Sequence, residues 1–182
     1  MSVIVRPEKT NVDVQKLTMI AAVAVCRALE SSAQISAQIK WVNDIFWQGR
    51  KICGILSEAA LDLESRKAES VVVGIGLNIT TKEFPQELKT IAGSVGNAKV
   101  PRVAIIAAIL NELFSLIESG EDILEEYTTR VFIMGKQISY IEKGEQKTAT
   151  ALRIDPDGAL VVLDKNEGEQ RLCSAEISII PQ

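Results

Sequence analysis

Apolar residues in the first two thirds of the chain recur at a mixture of helical and strand-like spacings. Residues 2–6 form a short apolar run that predicts a strand, whose sheet neighbours must come from later in the chain or from outside it. Residues 13–30 carry apolar side chains every three or four positions, which predicts a helix with Asp13 as its N-cap. Residues 71–79 are almost continuously apolar, which predicts a strand buried on both faces.

Shorter patterns lie between these segments. A hairpin-like unit of three strands is expected, over residues 38–42, 45–47 and 51–59. Asn43-Asp44 forms the first turn or bulge of this unit. An irregular loop with one short helix is expected over residues 80–100, and two helices follow it, over residues 101–118 and 121–134. Glu125-Glu126 is assigned to the solvated face of the second of these helices.

The pattern changes at Gly135 to short segments separated by turn residues. Five strands are predicted, over residues 137–142, 147–154, 160–163, 170–173 and 176–180. Short strands of this number and spacing are typical of a small β-barrel. We therefore expect two domains, over residues 1–134 and 135–182.

The amino-acid composition argues against several classes of function. The chain contains no His, which excludes Ser-His-Asp triads, Cys-His dyads and histidine general bases. Its net charge of −4 argues against nucleic acid as the main partner. The three cysteines form no CxxC motif, which favours reduced thiols in a cytoplasmic protein over disulfides or a zinc site. No apolar stretch is long enough for a membrane span, and the N-terminus is not typical of a signal peptide.

The first candidate site is the segment from Lys40 to Asp44, with the sequence K-W-V-N-D. Asn43 and Asp44 at a strand end would project an amide and a carboxylate where ligands are often held. Both residues also tolerate turn geometry, so a simple turn is the alternative. Trp41 is interpreted as core or pocket wall.

The second candidate is Lys51, at the start of an otherwise apolar strand that contains Gly54. A lysine directed inward is suited to a phosphate or a carboxylate. The alternative is a solvated hairpin tip. Gly54 is more informative, because a glycine inside a strand often marks close approach of backbone or ligand.

The third candidate is the motif G-I-G-L-N at residues 74–78. It is not a dinucleotide-binding fingerprint, because it lacks the third glycine and does not open a helix. The presence of Gly74 and Gly76 in a strand still has to be explained. The explanation is either that a neighbouring element packs closely or that a flat ligand lies on the backbone. In the second case the Asn78 amide could contact a base edge.

Taken in order, these motifs resemble the biotin protein ligases. The matching features are K-W-x-N-D, R-K-x-x-G-I-L-x-E, V-V-x-G-I-G-x-N-I, two helices and a small β domain. The lead segment S-V-I-V-R-P followed by an apolar helix is also similar to that family. The resemblance covers essentially the whole chain, and it is the order of the three motifs that makes it specific.

The resemblance implies an α+β fold. A mixed-sheet catalytic domain, incomplete at its N-terminus, would be followed by a small SH3-like β-barrel. The implied reaction joins biotin and ATP into biotinyl-5′-AMP with loss of pyrophosphate. Biotin is then transferred to a lysine of a biotin carboxyl carrier protein, a subunit of acetyl-CoA carboxylase. Mg²⁺ is implied as the companion of ATP, held by phosphate oxygens and water rather than by a protein cage.

The resemblance also assigns roles. Lys51 matches the lysine that contacts the biotin carboxylate and the α-phosphate, and Asp44 matches a catalytically important aspartate beside the ligand. Asn78 would lie near the adenine. The set implied for substrate or nucleotide binding is Trp41, Asn43, Gly54, Ile55, Gly74, Gly76 and Asn78.

Three departures from the family pattern affect what we expect. Val42 and Cys53 are mild changes from Pro and from a small residue such as Ala. The family's Gly/Arg-rich adenylate-binding loop should precede the S-V-I-V-R-P strand, where Met1 stands. We therefore expect a shortened ligase with impaired activity, no DNA-binding helix-turn-helix domain, and self-association as a homodimer. The alternatives are a non-catalytic binding or assembly module and a lipoyl-ligase-like protein.

Overall fold

The described residues form two antiparallel sheets and four α-helices. The computed structural model describes residues 1–10, 12–62, 64–65, 67–96, 101–142 and 144–180. The strands of the first sheet are β1 (Ser2–Val5), β2 (Gln38–Lys40), β3 (Asp44–Trp47), β4 (Arg50–Leu61) and β5 (Ala68–Leu77). The helices are α1 (Pro7–Thr10), α2 (Leu17–Ala33), α3 (Arg102–Ser119) and α4 (Leu124–Arg130).

The first sheet has the strand order β1-β5-β4-β3-β2. The α+β class is confirmed, and β1 finds its neighbour later in the chain, in β5. The expected mixed sheet is corrected, because every strand pair described in this sheet is antiparallel. Hairpins join β2 to β5 in succession, and a hairpin makes its two strands antiparallel. Parallel pairing is confined to isolated bridges at Ile39–Val131 and Lys51–Ala92.

Helix α2 forms the centre of the core. Asp13 caps a 3₁₀ turn over Val14–Lys16 and not the helix that was predicted to follow it. Helix α2 begins only after this turn, with Lys16 at its N-cap position and no side-chain cap, and it runs to Ala33. Most of α2 is buried because its small residues let α3 and the inner face of the sheet approach closely. Among the described residues, no helix has the length and apolarity that a membrane span requires.

Strand β5 is buried on one face only, so the prediction of two buried faces is wrong. Val73 is fully buried, whereas Val72 beside it is 36% exposed. The helices cover only the face that carries Val71, Val73 and Ile75. The opposite face carries Gly74 and Gly76, which have no side chains to bury.

The predicted helix over 121–134 is shorter in the structure. Helix α4 ends at Arg130 because Val131 adopts an extended conformation and pairs with Ile39 of β2. The loop over 80–100 contains one 3₁₀ turn, Gln86–Leu88, and its last residues, 97–100, lie outside the described part of the chain.

The second sheet confirms the five predicted strands. They are β6 (Gln137–Glu142), β7 (Glu145–Ile154), β8 (Leu160–Asp164), β9 (Gly168–Leu172) and β10 (Ile177–Ile179). Their order is β10-β6-β7-β8-β9, with antiparallel pairing throughout. Lys143 and residues 181–182 lie outside the described residues. The closure of these strands into an SH3-like barrel and the domain boundary near residue 134 stay predictions.

Candidate active site

A turn over residues 41–43 and the first residue of β3 carry the first candidate motif. The Asn43 side-chain amide donates to the Ile55 carbonyl oxygen at 2.7 Å, and the Ile55 amide donates to the Asn43 carbonyl oxygen at 2.9 Å. These bonds attach the turn to β4, so Asp44 begins β3 with its carboxylate beside β4. The turn and the ligand-site interpretations are therefore compatible.

Lys51 and Asp44 form an ion pair on the outer face of the sheet. Lys51 Nζ lies 2.5 Å from Asp44 Oδ1, and the two side chains are 39% and 19% exposed. Gly54 is the strand partner of Asp44. A Cβ atom at Gly54 would lie 3.4 Å from Lys51 Cε and 3.5 Å from Nζ. The lysine side chain therefore lies along β4 beside the carboxylate, which is not the geometry of a solvated hairpin tip.

Gly54, Gly74 and Gly76 together form what we call the glycine floor. Gly54 pairs with Gly76, and Gly74 pairs with Leu56 on the same face of β4 and β5. A Cβ at Gly74 would lie 3.5 Å from the nearest other atom, and one at Gly76 would lie 3.7 Å away. Both are ordinary van der Waals distances, so strand packing does not require glycine here. The missing side chains instead leave the face open.

A cavity of about 450 Å³ lies over the glycine floor. Its lining residues are Met1, Asn43, Asp44, Lys51, Gly54, Ile55, Leu56, Gly74, Ile75 and Gly76. A second cavity of about 530 Å³ adjoins it at Asp44 and Lys51 and extends to the segment before β10. Its lining residues are Lys40, Trp41, Val42, Asn43, Asp44, Lys51, Ser174, Ala175, Glu176 and Ile177.

The structure brings together most of the residues predicted for the site, but three need separate description. The Ile55 side chain is buried, so only its backbone serves the site. Trp41 is also buried, and its indole N–H donates to the Gly158 carbonyl oxygen at 2.8 Å, as expected for a wall residue. Asn78 lies one residue beyond β5 and does not line either cavity, and its backbone pairs with Ile52 and Val95.

Two contributors were not found from the sequence. Residues 174–177 reach the second cavity from the second sheet, and nothing local in their sequence marks them. Tyr127 of α4 is fully buried, and its hydroxyl donates to the Val42 carbonyl oxygen at 2.8 Å. The position of this tyrosine on the buried side of an amphipathic helix could have indicated such a contact, because a buried phenol usually needs a hydrogen-bond partner.

Lys51 and Asp44 are the charged side chains that line both cavities, and Lys40 and Glu176 add a further cation and anion to the lining of the second cavity. Burial raises the pKa of the Cys53 thiol, beneath the floor, to about 12, so this group is neutral at ordinary pH. The described residues contain no cluster of three or more His, Cys, Asp or Glu side chains that could hold a metal ion. The arrangement can neutralise a carboxylate or phosphate at Lys51 while a flat group lies on Gly54, Gly74 and Gly76.

Comparison with known proteins shows which proteins the chain is similar to. Residues 1–78 match the biotin/lipoate A/B protein ligase family. The chain is 32% identical over 189 residues to the bifunctional ligase/repressor BirA of Bacillus subtilis, covering 98% of this chain and 57% of that protein. It is 29% identical over 164 residues to the biotin–[acetyl-CoA-carboxylase] ligase of Mycobacterium tuberculosis, covering 82% and 58%. The chain thus spans less than two thirds of the length of these curated relatives.

The same likeness extends to solved structures. The biotin protein ligase of Aquifex aeolicus in complex with biotin and ATP has a TM-score of 0.80 at 21% identity, covering 100% of this chain and 77% of that one. The match to the biotin/lipoate A/B protein ligase family covers residues 1–78, which is less than half of the chain. The fold of the chain, over its full length, is that of the biotin protein ligases, as the resemblance of the motifs predicted.

Proposed function

We propose that this chain performs the reaction of a biotin protein ligase. Biotin and ATP would form biotinyl-5′-AMP and pyrophosphate, and biotin would then pass to a lysine of a biotin carboxyl carrier protein. The observation that carries the proposal is the Lys51–Asp44 ion pair beside the glycine floor, in a chain whose residues 1–78 match the biotin/lipoate A/B protein ligase family.

Lys51 is proposed as the catalytic cation of the first step. A carboxylate oxygen of biotin bonds to the α-phosphorus of ATP, and the bond from that phosphorus to the pyrophosphate oxygen breaks. Two anionic groups must approach each other, and charge builds up on the phosphoryl oxygens. An ammonium group already fixed beside that position lowers the barrier, because it needs no reorganisation during the reaction.

Asp44 is proposed to hold the ammonium group of Lys51 in place beside the ligand. The Asn43 amide is already bonded to the Ile55 carbonyl oxygen, so its role would be to support the nucleotide pocket rather than to contact the base. The glycine floor would let the rings of biotin and of the adenylate lie close to the backbone. Trp41 would serve as pocket wall and Ile55 as backbone support. The adenine would extend beyond the two cavities towards the end of β5, where Asn78 lies near it.

The ion and the acceptor follow from the same proposal. Mg²⁺ would arrive with ATP, bound to phosphate oxygens and water, with Asp44 as the nearest described carboxylate in the site. The acceptor would be the carrier protein of acetyl-CoA carboxylase, since one relative is named as a ligase for that enzyme. A cytoplasmic location, a homodimer and the lack of a DNA partner remain predictions, and another relative is named a ligase/repressor.

The proposal is tested in two stages with the purified chain. Calorimetry with biotin and with Mg²⁺-ATP measures binding, and pyrophosphate release followed by labelling of a carrier domain measures the two chemical steps. We expect binding, release and labelling, and we expect Lys51→Ala to slow release about 10²–10³-fold. Binding without release would favour the non-catalytic module. Labelling with lipoate in place of biotin would favour a lipoyl ligase, and binding of neither compound would reject the proposal.

A further inference from the structure

Arg50, the first residue of β4, contacts a segment that lies outside both cavities. Its guanidinium Nη1 donates to the carbonyl oxygen of Lys89 and to that of Ala92, the latter at 3.4 Å. Both acceptors belong to residues 88–93, which we call the bracing segment. A planar guanidinium group suits such a contact because its donors can reach two oxygens from one fixed position.

The bracing segment also binds the backbone of Lys51. The Lys51 amide donates to the Ile91 carbonyl oxygen at 2.8 Å, and the Gly93 amide donates to the Lys51 carbonyl oxygen at 2.8 Å. Both main-chain polar groups of Lys51 are therefore held by this one segment. The bridge at Lys51 and Ala92 is parallel and isolated, so it receives no support from a longer ladder.

Gly93 fits the bracing segment against Arg50 with no space to spare. A Cβ atom at Gly93 would lie only 2.7 Å from Arg50 Cβ and 3.3 Å from its Cδ. Real Cβ atoms do not approach this closely, so the contact requires glycine. The close fit and the two carbonyl contacts make Arg50 the side-chain anchor of the segment that binds the Lys51 backbone.

We propose that Arg50 is a positioning residue, which fixes the bracing segment against the Lys51 backbone and so holds the Lys51 ammonium over the glycine floor. This inference rests on the proposed function, since Lys51 has its catalytic role only there. The physical reason is the length of the lysine side chain. A small rotation of the Lys51 backbone moves Nζ, at the end of four methylene groups, away from its position 2.5 Å from Asp44.

The first test needs no activity. Residue-resolved amide hydrogen exchange is measured in the chain itself, at Lys51 and Gly93, with Arg50→Ala and Lys89→Ala. The contact of Arg50 with Lys89 is to the backbone carbonyl and not to the lysine side chain. Lys89→Ala is therefore a control that removes a nearby positive charge and keeps the contact. We expect the two amides to exchange at least about tenfold faster in Arg50→Ala alone, because local opening needs less free energy. Unchanged rates in Arg50→Ala would overturn the inference.

The second test separates positioning from simple support of the fold. Pyrophosphate release and biotin affinity are measured in a double-mutant cycle of Arg50→Ala and Lys51→Ala. We expect Arg50→Ala alone to slow release about ten- to a hundredfold, as for a misplaced catalytic group, and to have no further effect on either quantity when Lys51 is Ala. Equal losses in both backgrounds would show a merely structural role and overturn the inference.

Two further comparisons keep the outcomes distinct. Arg50→Lys retains the charge without the planar fork, so we expect it to behave like Arg50→Ala, and it replaces that variant if Arg50→Ala does not fold. A wild-type chain that neither binds biotin nor releases pyrophosphate would reject the proposed function. The exchange rates would still decide whether Arg50 anchors the bracing segment.

Discussion

The Tyr127 hydroxyl of α4 donates a 2.8 Å hydrogen bond to the carbonyl oxygen of Val42, behind the candidate site. The same turn is held by the Trp41 indole, which donates to Gly158 between β7 and β8, and by the Asn43 amide, which donates to β4. The turn that precedes Asp44 is thus fixed from a helix, from the connection between β7 and β8 and from β4. This explains how a short loop can place side chains precisely.

Tyr127→Phe should lower the free energy of unfolding by about 0.5–1.5 kcal/mol, because it leaves the partly buried Val42 carbonyl oxygen without this donor. Urea denaturation measures the change. The matched control is Tyr140→Phe, since the buried Tyr140 hydroxyl has no hydrogen-bond partner among the described residues and its removal should cost less. Equal costs for the two substitutions would contradict this account of the turn.

Lys51→Ala should slow formation of biotinyl-5′-AMP about 10²–10³-fold, as for the loss of one preorganised electrostatic contact. Its effect on the free energy of unfolding should stay below about 1 kcal/mol, because a partly exposed ion pair contributes little to stability. Asp44→Asn should slow the reaction as well, since it keeps the shape but not the charge that fixes Lys51. Pyrophosphate release and urea denaturation measure the two effects. A large loss of stability with an unchanged rate would assign the pair to the fold.

The spacing of apolar residues predicted most strands and helices, because those elements are determined by their own local sequence. The segment over 137–142 was predicted with its observed bounds, since alternating residues and glycine turns define it. The prediction failed where a distant element decides the outcome. Val131 leaves the predicted helix because it pairs with Ile39, which lies far away in sequence. Glu126 was assigned to solvent, but it binds Arg27 and Arg130.

The residues of the candidate site were likewise predicted only in part from the sequence. Asn43, Asp44 and Lys51 were found because polar groups at strand ends are conspicuous in an apolar sequence. Whether Gly74 and Gly76 serve packing or open space could not be decided without the distances across the strands. Contacts such as Tyr127 to Val42 join residues 85 positions apart, and no local pattern specifies them.

The cysteines should differ sharply in reactivity. Cys26 and Cys53 are buried, and burial raises the pKa of each thiol to about 12, whereas Cys173 is exposed. Because the thiolate is the nucleophile, a disulfide reagent at pH 8 should modify one thiol in the native chain and three after denaturation. Cys173→Ser should remove the native reaction. A second thiol reacting at a comparable rate would show that the core opens readily around α2 or the glycine floor.

Glu126 should make the stability of the helical layer depend on pH. Burial raises the pKa of its carboxyl, but hydrogen bonds from Arg27 and Arg130 outweigh burial and lower it below the ordinary 4.5. A lowered pKa in the folded state means that the contribution is present above about pH 4.5 and is lost as the pH falls through the folded-state pKa. Glu126→Gln should therefore cost about 1–3 kcal/mol at pH 7, as for hydrogen bonds to charged groups, and progressively less towards pH 3. Urea denaturation across this range measures the gap, with Glu125→Gln on the exposed side of α4 as control. A gap that stays constant from pH 7 to pH 3 would show that the charge of Glu126 does not stabilise the contact between α2 and α4.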